Sequence, residues 1–112
     1  MATPLNVFKT VTKDVTTSNE VIYTAPADNT GIVLMAQAAN ITSSAASITF
    51  SHYDTSTTTE TELVKNLDIP GNDATSLITG KMVIEAGDSI KVQASANSTF
   101  KLTLSILESL NA

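Results

Sequence analysis

The strictest constraint in this chain is a period of two near its end. Ile90, Val92 and Ala94 alternate with Lys91, Gln93 and Ser95. After a turn at residues 96–98, Phe100, Leu102, Leu104 and Ile106 alternate with Lys101, Thr103 and Ser105. Successive side chains of a strand point to opposite faces, so this pattern describes strands with one face in a core and the other in water. Two such runs joined through Asn97 and Ser98 read as a β-hairpin.

The same reading extends upstream. Residues 21–24 form a short strand closed by a turn at 25–31, which holds Pro26, Asp28, Asn29 and Gly31. Residues 32–39 are apolar on both faces, with Ile32, Leu34, Ala36 and Ala38 on one and Val33, Met35 and Ala39 on the other. That suits a central strand covered on both sides, or one covered by a partner chain. A helix is the alternative, and the flanking turn residues favour the strand. A loop at 40–46 leads to a strand at 47–53 with Ile48, Phe50 and His52 on one face. Residues 54–61 are polar and read as an exposed tip. A strand at 62–69 ends at Pro70-Gly71-Asn72-Asp73, and an apolar segment at 76–84 surrounds Gly80.

Some eight strands at regular spacing, with turn signals between them, predict an all-β fold. The expected form is a single-domain antiparallel β-sandwich, jelly-roll-like, of about eight strands. The sandwich domain spans residues 20–112. Residues 1–19 read as an N-terminal arm or edge strand. Leu5, Val7, Val11 and Val15 share parity there with Lys9 and Lys13. Lysines turned inward on an edge discourage pairing with the wrong chain. An arm reaching a neighbouring subunit and a first strand on its own domain both fit.

Composition narrows the chemistry. With 112 residues, 42% hydrophobic but only 4% aromatic and no Trp, the core must be aliphatic. Ser and Thr number about 30, and Thr favours strands. Charged residues are 15% and the net charge is −5. All six basic residues are scattered lysines, with no Arg for bidentate phosphate contacts, which argues against nucleic-acid binding. Cysteine is absent, which removes disulfides, thiolate nucleophiles and Cys-ligated metals. No apolar run reaches a membrane span, and the first residues do not read as a signal peptide.

His52 is the lone histidine, and its parity with Phe50 places it at the rim of a core. Catalysis there would need an activated hydroxyl and a carboxylate beside it. Most acids sit at turns, where Asp caps backbone groups. Pro70-Gly71-Asn72-Asp73 is a weak cation candidate, and no calcium-loop spacing occurs. The four glycines read as turn residues. Asn40-Ile41-Thr42 and Asn97-Ser98-Thr99 match the glycosylation pattern by chance. No catalytic, cofactor-binding or metal-ligating residue is assigned, no cofactor is expected, and an enzyme is not.

The order of Val21-Ile22-Tyr23-Thr24-Ala25-Pro26, the run 31–40, Leu63-Val64-Lys65-Asn66-Leu67-Asp68-Ile69-Pro70-Gly71, the segment 77–90 and the ending Leu104-Ser105-Ile106-Leu107-Glu108-Ser109 resembles small virion structural proteins of marine tailed phages, especially contractile-tailed cyanophages. The likeness covers roughly residues 20–110 and consists of turn and core patterns. It implies a β-rich particle component made in the host cytoplasm and located in the virion. Within that group a capsid decoration (cement) protein is the foremost expectation, with the major capsid protein as partner and a homo-oligomer, for example a trimer, as its state. A neck, tail, baseplate or fibre-associated piece is the alternative. A carbohydrate-binding attachment module, with a groove lined by Tyr23, Tyr53 or Asn and Asp side chains, is another.

Overall fold

The computed structural model describes residues 6–111. Among them are nine strands and no helix: β1 (Asn6–Asp14), β2 (Glu20–Thr24), β3 (Asn29–Asn40), β4 (Ala46–Asp54), β5 (Thr59–Ile69), β6 (Ala74–Ser76), β7 (Met82–Ile84), β8 (Ser89–Ala94) and β9 (Phe100–Leu110). They form two antiparallel sheets. One runs β1-β9-β3-β6, with β7 also on β3; the other runs β2-β8-β4-β5. Along the chain the strands cross from sheet to sheet, and only β4–β5 closes as a hairpin. That interleaved order is the jelly roll of two Greek keys. The ninth strand arises because one strand position is filled by two three-residue strands, β6 and β7, on either side of a bend containing Gly80 at φ 89°.

The alternation at β8 and β9 places Ile90, Val92 and Ala94 against Phe100, Leu102, Leu104 and Ile106 in the core. The hairpin expected there does not form. β8 pairs with β2 and β4, whereas β9 pairs with β1 and β3, so the turn carries the chain across the sandwich. Alternation specifies which face a strand buries, and two strands facing each other across a core have the same pattern as two lying side by side. Phe50 and Phe100 are the largest fully buried groups, amid Ile48, Ile69, Ile84 and Val33. Each such aliphatic or aromatic side chain contributes about 1.5–3 kcal/mol by leaving water.

In β3 the parity differs from the sequence reading. A bulge between Val33 and Met35 inserts Leu34 as an extra residue. Gly31 and Val33 face inward before it, and Ala36, Ala38 and Asn40 face inward after it. The inward set therefore switches from odd to even positions. Residues 29–31, expected as part of a turn, already belong to this strand. Gly31 is likewise not a turn glycine: a Cβ there would stand 2.7 Å from the Tyr23 hydroxyl, so the glycine makes room for that ring. Gly71 clears the backbone of Ser43, which a Cβ would approach to 2.3 Å.

Within residues 1–19, β1 lies at the edge of the five-stranded sheet and pairs with β9 of the same chain from Asn6↔Ser109 to Asp14↔Lys101. Leu5 lies outside the described residues. Lys9 and Lys13 sit opposite Ile106 and Leu102, on the inward parity, and Val15 closes the segment fully buried.

Candidate functional site

The lone histidine shares its inward parity with Ile48 and Phe50 at the end of β4. Its Nε2 is 3.3 Å from Oδ2 of Asp88, whose side chain is 5% exposed. The other oxygen of Asp88 accepts the Thr55 N–H at 3.1 Å, and the Thr55 hydroxyl donates to the Gly87 carbonyl at 2.6 Å. Thr55 thus pins the β4–β5 turn to the β7–β8 turn, while His52 Nε2 and Asp88 Oδ2 stand close without a hydrogen bond. Among the described residues no Ser or Thr hydroxyl bonds to His52, so this His–Asp pair lacks the third member that nucleophilic catalysis requires. A hollow of about 570 Å³ opens nearby, lined by Thr30, Thr55, Glu85, Asp88 and Asn111, and His52 is not part of its wall.

A second buried carboxylate, Glu108, lies on the inward face of β9 and is 5% exposed. The Tyr23 hydroxyl donates to its Oε2 at 2.7 Å, and Lys9 Nζ lies 3.1 Å from its Oε1. Three strands, β1, β2 and β9, are tied at this point. Burial and the adjacent carboxylate push the Tyr23 phenol well above its usual range, because both disfavour a phenolate there.

The remaining acids act at turns and strand edges. Asp54 accepts the Ser56 hydroxyl and N–H, which hold its carboxyl below the usual carboxylate range despite some desolvation. The Thr16 hydroxyl donates to Glu20 at 2.6 Å and lowers that carboxyl, with Lys13 adding to the effect. Four of the lysines stand beside carboxylates: Lys9–Glu108, Lys13–Glu20, Lys91–Glu60 and Lys101–Asp14. Among the described residues no group of three or more His, Asp or Glu side chains gathers as a metal would need.

The segment at 70–73 is held by protein groups. Asn72 N–H donates to the Thr42 carbonyl and Asn40 N–H to the Asp73 carbonyl, both at 2.8 Å. Asn40, 2% exposed, directs its amide to the carbonyls of Ser44 and Ile69 and accepts the Thr42 N–H. The first glycosylation-like Asn is therefore a buried brace. Tyr23 is buried with its hydroxyl engaged, while Tyr53 lies on the opposite face of the four-stranded sheet, with Lys91 Nζ 4.5 Å from its ring centroid. The two tyrosines do not meet in one groove.

The feature that sequence reasoning missed lies on the outer face of the five-stranded sheet. Phe8 pairs with Leu107, Leu107 with Ile32, and Ile32 with Val83. Their neighbours in sequence lie on the inward parity, so these four form one apolar row across β1, β9, β3 and β7. Phe8 is 75% and Val83 58% exposed; Leu107 and Ile32 between them are half-buried. A signal was present: Phe8 and Leu107 are apolar residues out of step with the alternation of Val7, Val11 and of Leu104, Ile106.

No protein-family profile matches this chain, and no curated protein matches it. Among solved structures it is similar to a chain from a structure described as Bacillus endospore appendages that form a novel family of disulfide-linked pili. The TM-score is 0.58 at 11% identity, covering 96% of this chain and 88% of the other. The likeness is one of fold.

Proposed function

We propose that this chain is a non-enzymatic structural subunit of a tailed-phage particle, a capsid decoration protein that binds the outer capsid surface as a homo-oligomer. The observation that carries the reading is the apolar row Phe8–Leu107–Ile32–Val83 on the outer face of the five-stranded sheet, exposed at both ends and half-buried between. Monomeric proteins rarely leave such a contiguous apolar strip open, and one rimmed by polar residues marks a contact surface. The polar constellations, by contrast, are spent on holding strands and turns together. The sequence resemblance supplies the virion context. The fold supports use as a building piece, since a chain from pili shares it. Those pili are disulfide-linked; a chain without cysteine must assemble by packing alone.

Co-sedimentation of the purified protein with undecorated phage capsids tests this reading. Saturable binding, with a fixed number of copies per capsid and density on the outer shell, is the expected result. Absence of binding to capsids, or density confined to neck, tail or fibre, would replace it with another place on the particle.

A further inference from the structure

We infer that the outer face of the five-stranded sheet is the contact between two copies of this chain, packed face to face about a two-fold axis parallel to the strands. This rests on the reading of the chain as an assembling subunit and names the surface involved. The first argument is charge. Each copy carries −5 overall, so most approaches between two copies are repulsive. This face is the exception. Within its strands the charged outward members are Asp14 and Lys101, which neutralise each other at 2.7 Å at the far end, and Lys81 and Glu85 flank the Val83 end with one charge of each sign. Between the Asp14–Lys101 pair and the row, the outward positions are Thr10, Ser105, Met35, Thr12, Thr103, Gln37 and Ser76, all uncharged. The charges on and beside this face therefore cancel, and the net −5 is carried elsewhere.

The second argument is self-complementarity. The row has an even number of members in the order Phe8, Leu107, Ile32, Val83. A two-fold axis lying between the columns of Leu107 and Ile32 sets Phe8 of one copy over Val83 of the other, and Leu107 over Ile32. Each contact occurs twice, as an isologous interface requires, and the largest side chain meets the smallest. Two sheets stacked this way lie about 10 Å apart.

The third argument is area. Four strand columns at about 4.8 Å and nine residues at about 3.3 Å cover roughly 550 Å² per copy, or about 1,100 Å² in all. That just clears the roughly 1,000 Å² a specific interface needs, so the pair is expected to be reversible and concentration-dependent.

The test uses sedimentation velocity across a concentration series, with capsid co-sedimentation in parallel. The wild-type protein should dimerise or assemble further. Phe8→Ser/Val83→Thr should weaken association at least tenfold while keeping the wild-type circular dichroism spectrum. Val83→Thr alone serves as the milder variant should the double substitution fail to fold. Lys91→Ala, on the other sheet, should leave association unchanged. Because the chain has no cysteine, Phe8→Cys mixed with Val83→Cys should give a heterodimer with a short bismaleimide, in preference to either homodimer. A wild-type protein that stays monomeric, a folded row variant that associates as tightly as wild type, or crosslinking of Phe8→Cys to itself would overturn the inference. A row variant that remains dimeric but loses capsid binding would also overturn it, by assigning the face to the particle. Failure of wild-type capsid binding, with association intact, sinks the decoration reading alone.

Discussion

The two outward faces of this sandwich are built from the same alternating strands, yet they differ in kind. On the four-stranded sheet the outward positions of β4 and β8 are Thr49, Ser51, Tyr53, Gln93 and Lys91, and Lys91 reaches both the Tyr53 ring and Glu60 of β5. Asn19 adds hydrogen bonds to the same Glu60 carboxylate at 3.1 Å. Lys91, Glu60 and Asn19 thus find companions in their own chain, and water can cover the exposed remainder. On the five-stranded sheet the corresponding place is taken by Phe8, Leu107, Ile32 and Val83, for which water is a poor neighbour. A mainly polar surface and one crossed by an apolar row therefore sit back to back across a single core. The contrast teaches that a jelly roll can assign one sheet to solvent and one to assembly by changing four side chains in register, at no expense to the residues that face inward.

The largest effect expected on this contrast comes from beneath the apolar face. Glu108→Ala removes the anchor that Lys9 and Tyr23 share, and leaves the Tyr23 hydroxyl buried without a partner. Unfolding by denaturant should show a loss of about 3 kcal/mol. Since Lys9 lies on β1, the strand that carries Phe8, association should weaken too. Unchanged hydrogen exchange along β1 in this variant would count against Glu108 as the hold on that strand. Asn40→Ala separates stability from assembly: it strips the Ile69 and Ser44 carbonyls of their donor at the end of β3, away from both faces. A stability loss of about 2 kcal/mol with unaltered sedimentation is the expected outcome.

Tyr23→Phe is a smaller change with a pH signature. The folded protein holds the phenolic proton more tightly than the unfolded chain, whose phenol has the ordinary value of about 10. The unfolded state therefore binds fewer protons once the pH passes about 10, and wild-type stability falls as pH rises further. The variant should lose about 1 kcal/mol near neutrality and show a flatter alkaline decline. Parallel alkaline slopes for the two proteins would remove Tyr23 as the cause. The smallest effect is that of Lys91→Ala on the polar face, within about 0.5 kcal/mol, because a surface ion pair and cation–π contact contribute little in water. A thermal melt displaced by many degrees would show that the face is less self-sufficient than its contacts indicate.

Much of this architecture was legible in the residues alone. Strands of period two, punctuated by Pro, Asn, Asp and Gly, require an all-β sandwich, because local sterics and the need to bury an apolar face act at every position independently. The inward set of β9, the rim position of His52 and the inward parity of Lys9 and Lys13 follow from the same rule. Tertiary structure alone decided which strands became neighbours. β8 and β9 look like a hairpin and are not one, because their pairing depends on partners tens of residues away. The bulge at Leu34 reverses the faces of β3, the ring of Tyr23 needs the bare backbone of Gly31, and four apolar residues from four strands align into one row. Burial preference is written residue by residue, whereas register and adjacency come from how all the strands share one core.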